Sequence, residues 1–379
     1  MDIYERALKL HKEKKGKLEI KSKVKINDKN DLSLAYSPGV AAVSRLIASD
    51  KKSAYTHTNK GNTIAVISDG SAILGLGNLG ALAAIPVMEG KCVLFKEFAN
   101  IDAIPICLDT QDSEEIIKTI KYLAPNYGGI NLEDIAAPRC FEIEARLKKE
   151  LNIPVMHDDQ HGTAAVVLAG LINALKIKNI SYREAKIIIN GAGAAGLAIA
   201  DLLIKYGFSQ LIVLDSKGVI HEGRSDLNLV KEKIAKLTNP EKKKGGLAEV
   251  IKNTDVFIGV SQGKVLTREM ILSMREKPVI FALANPEPEI MPEVAKAAGA
   301  FIVATGRSDY PNQINNVLAF PGIFRGALDN KVDQITDEML IQAAKNLASL
   351  VSTPTPNEIL PNPFDKRVVV AVSKAIKVL

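Results

Sequence analysis

The chain has 379 residues, of which 47% are hydrophobic and 24% are charged, and its formal net charge is +6. This length predicts two domains, the composition is that of a globular protein, and no run reaches the roughly 18 apolar residues of a membrane span. The lack of such a run predicts no membrane partner. Cys92, Cys107 and Cys140 are too few and too scattered for a disulfide framework, which favours a reducing, cytoplasmic location.

The N-terminal segment contains much of the positive charge, in lysines between residues 9 and 29. Acidic residues interrupt these lysines and no aromatic residues interleave for base stacking, so we expect no nucleic-acid partner. Residues 2–15 are predicted to form a surface helix. Alternating apolar residues then predict an edge strand protected by lysines: Leu18, Ile20, Val24 and Ile26.

Tyr36 precedes Ser37 and Pro38, which together predict the start of a helix because proline is favoured in a first helical turn. The phenol of Tyr36 would then stand at the mouth of this helix. It is free there either to enter a cleft or to pack beneath the helix start, and the sequence leaves both interpretations open.

A glycine-rich loop at residues 70–80 follows a predicted strand at residues 63–69. Gly75, Gly77 and Gly80 have the spacing of a dinucleotide fingerprint, but no acidic residue ends a following strand at the required distance. We therefore predict that this loop allows the close approach of a small molecule or of backbone, and that the cofactor binds elsewhere.

Lys91 lies at the start of an apolar run that predicts a strand through residue 98. A lysine in this position ordinarily extends its amine into solvent. If Lys91 instead faces a cleft that contains a cation, desolvation and like charge would lower its pKa, and the neutral amine could act as a general base.

Four carboxylates follow two predicted strands, namely Glu133 and Asp134 after one and Asp158 and Asp159 after the other. Neighbours in an extended segment point to opposite sides, so Asp158 and Asp159 are expected to have different roles. Glu133, Asp134 and Asp159 together offer three hard oxygen ligands, which suit Mg²⁺ or Mn²⁺. Acidic residues also complement the dipole of a helix that starts nearby, so a structural role stays open for each of them.

The second half of the chain has the pattern of a dinucleotide-binding unit. A strand at residues 185–190 is followed by the fingerprint Gly-Ala-Gly-Ala-Ala-Gly, a helix at 197–206 and a strand at 210–215 that ends in Asp215. Asp215 is predicted to accept hydrogen bonds from the ribose and to favour NAD over NADP, with Lys217 partly offsetting its charge. The residues predicted to bind the pyrophosphate are Gly191, Gly193, Ala194, Ala195 and Gly196.

Three more strands are predicted at residues 254–260, 279–284 and 301–304, and amide side chains such as Asn285 and Asn315 lie in the loops beyond them. Because ligands bind beyond the carboxyl ends of parallel strands, these loops should line one crevice. We therefore predict an α/β protein, in which an N-terminal α/β catalytic domain (residues 1–160) precedes a doubly wound Rossmann-type NAD(P)-binding domain (residues 161–379).

Six motifs occur in the order found in malic enzymes, and the chain resembles the short bacterial and archaeal members of that family. Each motif is weakly specific by itself, but the set is highly specific and extends over nearly the whole chain. The motifs are Tyr-Ser-Pro-Gly-Val-Ala, Ile-Leu-Gly-Leu-Gly-Asn-Leu-Gly, Glu-Gly-Lys, Leu-Glu-Asp, His-Asp-Asp-Gln-His-Gly-Thr-Ala and Asn-Asn-Val-Leu-Ala-Phe-Pro-Gly.

The resemblance implies oxidative decarboxylation of L-malate to pyruvate and CO2, with NAD or NADP and with Mg²⁺ or Mn²⁺, in a homodimer. It implies that Tyr36 is the proton donor, that Lys91 is the base and that Asp158 orients the lysine. It also implies metal binding by Glu133, Asp134 and Asp159, and contacts of Asn285 and Asn315 with substrate and nicotinamide.

Longer relatives have an arginine for the substrate carboxylate where this chain has Ala72, so another group must bind that carboxylate here. Two alternatives to the decarboxylating enzyme also remain. One is a malolactic-type enzyme of the same superfamily, which would release lactate. The other is a regulatory protein that binds a dinucleotide without catalysis.

Overall fold

The computed structural model describes residues 2–73 and 75–377. Within them the chain forms two sheets, each built mainly of parallel strands and packed between helices. No helix of this described part is both long enough and apolar enough to cross a membrane.

The first sheet has four parallel strands in the order β2-β1-β3-β4. The chain adds β2 on one side of β1 and later adds β3 on the other side. The loops that follow β1 and β3 therefore turn in opposite directions between these two strands. Such a position opens a crevice beyond the carboxyl ends of the strands. The strands are β1 (Thr63–Ser68), β2 (Asp102–Cys107), β3 (Gly129–Leu132) and β4 (Val155–His157).

The second sheet has the order β10-β9-β8-β5-β6-β7, in which only the β6–β7 pair is antiparallel. The strands after β5 are added first on one side of it (β6) and later on the other (β8), so the strand order reverses between β5 and β8, which confirms the predicted doubly wound arrangement of this half. The strands are β5 (Ile187–Asn190), β6 (Leu211–Asp215), β7 (Gly218–Val219), β8 (Val256–Gly259), β9 (Val279–Ala282) and β10 (Ile302–Thr305).

Sixteen α-helices lie in the described residues. The first eight are α1 (Ile3–Lys14), α2 (Lys29–Ala35), α3 (Val40–Ser49), α4 (Ala54–His57), α5 (Ala81–Ala99), α6 (Ser113–Leu123), α7 (Arg139–Glu150) and α8 (Asp158–Lys178). The others are α9 (Ala194–Tyr206), α10 (Leu229–Leu237), α11 (Leu247–Val250), α12 (Arg268–Leu272), α13 (Pro292–Ala297), α14 (Phe320–Asn330), α15 (Asp337–Ser349) and α16 (Arg367–Ser373).

The predicted strand that begins at Lys91 is wrong, because this segment is part of the helix α5. A short apolar run has no periodicity that separates a strand from a helix buried on several sides. α5 is such a helix, since it packs against β1, β2 and α14. Phe95 lies 4.6 Å from Phe320 and 5.5 Å from Phe324 between ring centroids, so α14 closes the first sheet from the C-terminal part of the chain.

The predicted edge strand at residues 18–26 is also wrong, because this segment is an irregular connection between α1 and α2. Ile20 is 97% exposed there. Alternating apolar residues form a strand only where a neighbouring strand satisfies the backbone, and this segment has no such neighbour among the described strands.

Gly162 and Thr163, followed by apolar residues at helical spacing, predict a helix that begins at Gly162, but α8 already begins at Asp158. Asp158 and Asp159 therefore lie in a helical turn, where successive residues are rotated by roughly 100°. Asp158 and Asp159 still face different neighbours, as the sequence predicts. The cause is the rotation between residues of a helix and not the alternation of an extended segment. α8 runs across the predicted domain boundary at residue 160 and packs against α9 and α15, and that boundary stays a prediction.

Candidate active site

The crevice of the first sheet gathers the carboxylates that the sequence places at strand ends. Glu133 and Asp134 follow β3, and Asp158 and Asp159 follow β4, its neighbour in the sheet. Glu133 and Asp134 are buried, Asp158 is completely buried, and the side chain of Asp159 is 33% exposed. Carboxyl ends of adjacent parallel strands meet at one edge, which is why residues separated by 25 positions become neighbours.

Glu133, Asp134 and Asp159 each place one carboxylate oxygen within 4.8 Å of the other two. The set is held in place by hydrogen bonds. The backbone N–H of Asp134 donates to Oδ2 of Asp159 at 2.9 Å, and the amide of Asn131 donates to Oε2 of Glu133 at 2.9 Å. Three hard oxygen ligands this close together fit Mg²⁺ or Mn²⁺, with further positions open to water or substrate oxygens.

Lys91 reaches the same crevice from α5. Its Nζ atom donates a hydrogen bond to Oδ2 of Asp158 at 2.7 Å and lies 2.8 Å from Oε1 of Glu133. It also lies 4.2 Å from the centroid of the Phe320 ring, and the residue is only 7% exposed. The alternative in which this amine extends into solvent is therefore wrong.

The electrostatics of this crevice are dominated by excess negative charge. Burial disfavours the ammonium of Lys91, but the nearby carboxylates of Asp158, Glu133 and Asp159 outweigh that effect and raise its pKa. Burial also raises the pKa of Glu133 and of Asp158 to about 7, against the lowering effect of Lys91. One ammonium cannot neutralise three carboxylates in a buried site, and a divalent cation fits this imbalance.

Arg139, at the start of α7, follows Glu133 and Asp134 closely in the chain but pairs with Asp69 at 2.8 Å. Asp69 follows β1 and also accepts a hydrogen bond from the hydroxyl of Ser71 at 2.5 Å. These contacts fix the first turn of the glycine-rich loop. The backbone N–H of Ala72 donates to the carbonyl oxygen of Asp134 at 2.9 Å, so the loop adjoins the set of three carboxylates through its backbone and offers no charged side chain at Ala72.

Glu144 is a structural residue of the site that the sequence did not reveal. From α7 it accepts hydrogen bonds from the backbone N–H of His157 at 2.9 Å and from His161 at 2.8 Å, and it pairs with Lys148 at 2.9 Å. Burial opposes its ionisation, but His161 and Lys148 outweigh burial and hold the pKa of Glu144 below its usual range. Glu144 thereby ties α7 to the first turn of α8, which bears Asp158 and Asp159.

Gly162 leaves space for the side chain of Asp158, a role that the sequence did not predict. A Cβ atom at this position would lie 1.8 Å from Oδ1 of Asp158. Only glycine leaves room for the orientation in which Asp158 accepts the hydrogen bond of Lys91. Asn316 borders the same point, because its Cβ would be 3.4 Å from a Cβ at Gly162.

The glycine-rich loop meets the second sheet, as its predicted role in close backbone approach requires. Gly75 has φ +89°, and a Cβ there would lie 2.0 Å from the carbonyl oxygen of Asn285. Asn285 follows β9 and is exposed. Asn315 precedes a short 3-10 helix at residues 316–318, and its side-chain oxygen accepts from the N–H of Val317 at 2.9 Å. Both amide-bearing loops therefore border the crevice from the side of the second sheet.

The predicted dinucleotide fingerprint adopts the expected strand–turn–helix geometry between β5 and α9. Gly191 has φ +127° and no room for a Cβ, which would lie 2.5 Å from the carbonyl oxygen of Val260. A Cβ on Gly196 would lie 1.7 Å from the carbonyl oxygen of Gly191, whereas Gly193 borders open space. Ala194 and Ala195 then form the first turn of α9, where free N–H groups suit a pyrophosphate.

Asp215 ends β6, as predicted, but its carboxylate is bound by cations that the sequence did not indicate. Arg224 donates to Oδ1 at 2.9 Å and to Oδ2 at 2.8 Å, and Lys231 donates to Oδ2 at 2.7 Å. Burial is outweighed by these hydrogen bonds, which lower the pKa of Asp215 to about 2. Lys217 instead pairs with Asp226 at 3.0 Å.

Tyr36 is the one predicted catalytic residue that the structure leaves apart from the crevice. It follows α2, and the next helix, α3, begins at Val40, three residues beyond the predicted start at Ser37. Tyr36 is 69% exposed, so it does not pack beneath the helix. Its hydroxyl forms no hydrogen bond with Lys91 or any other residue in the part of the chain that the structure describes.

Two models of malic enzyme domains match this chain. A model of the malic enzyme N-terminal domain matches residues 15–116 and 110–148, and a model of the malic enzyme NAD-binding domain matches residues 160–379. Both parts of the chain are therefore matched, and the second match alone covers more than half of it.

Individual relatives match over almost the whole chain. The bifunctional malic/malolactic enzyme of Bacillus subtilis is 58% identical over 99% of this chain and 92% of its own length. The NAD-dependent malic enzyme of Geobacillus stearothermophilus is 54% identical over 95% and 76%, respectively. The crystal structure of the NAD-dependent malic enzyme of Thermotoga maritima has a TM-score of 0.95 and 51% identity over 98% of both chains. Other relatives, at 46–50% identity, are described as NADP-dependent.

Proposed function

Since the chain belongs to the malic enzyme family, we propose that it oxidises L-malate with a nicotinamide cofactor and releases pyruvate and CO2. The observation that carries this proposal is the buried amine of Lys91, held between Asp158 and Glu133 beside a set of oxygen ligands for a cation. Burying a lysine among carboxylates costs stability, and a regulatory dinucleotide-binding protein has no use for that arrangement. The cluster therefore favours an enzyme.

Lys91 is the proposed base, which accepts the proton of the C2 hydroxyl of malate. The nicotinamide cofactor would accept the hydride of C2, and a divalent cation on Glu133, Asp134 and Asp159 would polarise the C2 oxygen and stabilise the enolate as CO2 leaves. Tyr36 then donates a proton to C3 and regains, through Lys91, the proton that left the C2 hydroxyl. Proton transfer is thereby balanced within one turnover.

The state of Lys91 gives the metal a second proposed role. The carboxylates around Lys91 raise its pKa, so the amine is protonated near neutral pH unless other positive charge competes for them. A divalent cation held by Glu133, Asp134 and Asp159 would supply that charge and would lower the pKa of the amine towards the working pH. Asp158, at 2.7 Å, is the proposed positioning residue that keeps the amine aimed into the crevice.

Asn285 and Asn315 are proposed to contact the substrate and the nicotinamide. Their loops reach the crevice from the second sheet, where the carbonyl oxygen of Asn285 meets Gly75. The side-chain oxygen of Asn315 already accepts a hydrogen bond from Val317, so its NH2 group is the part that is available to a ligand.

For the cofactor, we propose that NAD is preferred and that NADP is also accepted. Asp215 is fixed at the end of β6 and, with a pKa of about 2, is ionised at cellular pH, so it repels a 2′-phosphate. Arg224 and Lys231 lie against the same carboxylate and offset part of that repulsion. Relatives of both cofactor types match this chain at similar identity.

The test is an absorbance assay at 340 nm with L-malate, each nicotinamide cofactor and Mn²⁺, before and after chelation, together with identification of the product. We expect pyruvate, dependence on the divalent ion, and a higher kcat/KM with NAD than with NADP. Absence of malate-dependent reduction would contradict the proposed function, and full activity in excess EDTA would contradict the metal site.

Malolactic activity is a second candidate, because the Bacillus subtilis relative at 58% identity is described as a bifunctional malic/malolactic enzyme. In this reaction the pyruvate would be reduced to lactate before it leaves. Lactate accumulation without net formation of NADH would support it, whereas pyruvate and NADH in equal amounts would contradict it.

A further inference from the structure

Glu289 is a completely buried carboxylate beside the second sheet, and no step of the proposed reaction uses it. It lies in the connection between β9 and α13. The turn before it, at residues 285–287, is exposed, whereas residues 288–290 are buried. Burying a carboxylate costs stability unless hydrogen bonds or an opposite charge compensate, so the contacts of Glu289 indicate why it is there.

The two oxygens of Glu289 bind two different loops. Oε1 accepts a hydrogen bond at 3.1 Å from the backbone N–H of Ser261, beyond β8, and Oε2 accepts one at 3.0 Å from the backbone N–H of Ala284, beyond β9. Burial raises the pKa of Glu289, and these N–H groups act in the opposite direction. No lysine or arginine of the described residues contributes, so the backbone of the two loops is the partner of this carboxylate.

The side chain of Glu289 fits a space that a glycine leaves open. A Cβ atom on Gly259, the last residue of β8, would lie 2.3 Å from Cδ and 2.5 Å from Oε1 of Glu289. The backbone of Glu289 is fixed as well, because its carbonyl oxygen accepts from the N–H of Leu266 at 3.0 Å. The carboxylate is therefore held against the ends of β8 and β9 from both sides.

Ser261 connects Glu289 to the dinucleotide fingerprint. Its hydroxyl accepts a hydrogen bond at 2.9 Å from the amide of Asn190, which ends β5 directly before Gly191. A Cβ on Gly191 would lie 2.5 Å from the carbonyl oxygen of Val260 and 3.2 Å from Cβ of Ser261. The loop that Glu289 holds beyond β8 is thus packed against the first glycine of the fingerprint.

Ala284 connects Glu289 to the other crevice. It precedes Asn285, whose carbonyl oxygen borders Gly75 of the glycine-rich loop. The same loop adjoins the three carboxylates of the first sheet through its backbone. Glu289 therefore lies behind the point where the two crevices meet. A hydride would have to pass between them, and its transfer is sensitive to a displacement of about 1 Å.

We propose that Glu289 is a positioning residue, which holds the loops beyond β5, β8 and β9 in one arrangement and thereby fixes the nicotinamide ring against the substrate. A carboxylate offers one acceptor oxygen to each N–H, whereas a carboxamide would oppose the second N–H with its own NH2 group. Glu289 acts through Ala284 and Asn285 and does not contact the reacting atoms. Its role rests on the proposed function, in which the nicotinamide binds beside Asn285.

Glu289→Gln tests this role in turnover. Its kcat with malate should fall by about 10²-fold, because the nicotinamide is displaced from the substrate. The primary isotope effect on kcat, measured with malate deuterated at C2, should increase as hydride transfer becomes slower than the other steps. The matched control is Glu287→Gln, because Glu287 lies in the same connection but pairs with Lys264 at the surface, at 2.9 Å, and both values should stay at the wild-type level. A wild-type kcat in Glu289→Gln overturns the proposal.

Binding measurements test the same role without turnover. ADP-ribose contains the pyrophosphate but no nicotinamide, and Glu289→Gln should bind it with the wild-type Kd because Gly191 and Gly196 keep their own backbone contacts. NADH should show a smaller increase of its fluorescence on binding, since the ring is held less firmly. A lower kcat together with wild-type NADH fluorescence, or with loss of ADP-ribose binding, would mean a general loss of folded protein and overturns the proposal.

Gly259→Ala displaces the same carboxylate by another means and keeps its charge, so the test does not depend on how well Glu289→Gln folds. The new Cβ would overlap with Cδ of Glu289, and we expect the same combination of lower kcat, larger isotope effect and wild-type ADP-ribose binding. The matched control is Gly246→Ala, where a Cβ has no neighbouring atom within 4 Å. Equal behaviour of the two alanine variants overturns the proposal.

The outcomes separate the role of Glu289 from the function on which it rests. Wild-type protein that does not oxidise malate refutes the function, while NADH fluorescence and ADP-ribose binding still decide whether Glu289 fixes the nicotinamide. Wild-type protein that oxidises malate, with unchanged kcat and NADH fluorescence in Glu289→Gln, refutes only the positioning role.

Discussion

The two crevices of this molecule have opposite electrostatic designs. In the first sheet, one buried lysine faces three carboxylates, and in the second, Asp215 at the end of β6 is bound by Arg224 and Lys231. The first crevice retains negative charge that its own side chains do not neutralise, and a divalent cation fits that imbalance. The second crevice is internally paired, so changes there should adjust binding and leave the chemistry intact.

The largest expected effect comes from removing a proposed metal ligand. Asp159→Ala should abolish turnover that depends on a divalent ion, because the remaining carboxylates leave too few oxygen ligands for tight binding. Initial rates over a titration of Mn²⁺ measure this effect. The control is Asp329→Ala, which removes an exposed carboxylate near the C-terminal end of α14 that pairs with Arg325, and it should keep the wild-type rate. An Asp159→Ala enzyme with wild-type rates would show that the ligand set is wrong.

Lys91→Ala should lower kcat by about 10²- to 10⁴-fold, the usual contribution of a general base. The control is Lys96→Ala on the same helix, because Lys96 pairs with Asp102 at the surface and should not affect turnover. Steady-state kinetics at saturating malate and Mn²⁺ measure both variants. Equal effects of the two substitutions would mean that Lys91 acts through helix stability and not as a base.

Gly162→Ala tests how far the first crevice depends on the position of Asp158. A Cβ would lie 1.8 Å from Oδ1 of Asp158, so the carboxylate must move away from Lys91, and kcat should fall by about 10²-fold. Gly170→Ala is the matched control on the same helix, since its Cβ would meet its nearest neighbour at 3.4 Å. Thermal unfolding of both variants separates misplacement from loss of fold. Wild-type kcat in Gly162→Ala would exclude this steric dependence.

The smallest effect is expected in the second crevice. Asp215→Ser removes the charge that repels a 2′-phosphate but leaves Arg224 and Lys231 in place, so the ratio of kcat/KM for NADP to that for NAD should rise by about 10-fold. Lys217→Ala should lower the kcat/KM with NADP only slightly, because its amine pairs with Asp226. A wild-type preference for NADP, or no change of the ratio in Asp215→Ser, would show that Asp215 does not select the cofactor.

Most of the second sheet could be predicted from the sequence, because the strand, the glycine turn, the helix and the acidic strand end are contiguous in the chain. Gly191 and Gly196 have the close backbone contacts that this local pattern demands. The pattern did not predict the pairing of Asp215. Arg224 and Lys231 lie after β7, and the fold of that segment brings them back to the end of β6. Local periodicity contains no information on which side chains of such a segment will contact the end of the strand.

The first crevice was predicted less completely. The carboxylates were identified because they follow apolar strands, and parallel strands end at one edge of a sheet. Lys91 was assigned to a strand, because a helix that packs on several sides has no polar face to reveal its period. Its contact with Asp158, 67 positions later in the chain, depends on how α5 crosses the sheet.

The sequence by itself determined the α/β class, the dinucleotide-binding unit and the residue types of the catalytic cluster, because each depends on contiguous residues or on strand ends. Only the tertiary structure decided that Lys91 is buried between Asp158 and Glu133, that Gly162 leaves space for Asp158, and that Tyr36 stands exposed directly after α2. These features join residues distant in the chain. Their free energy arises from burial and charge pairing that exist only after the sheets and helices have packed together.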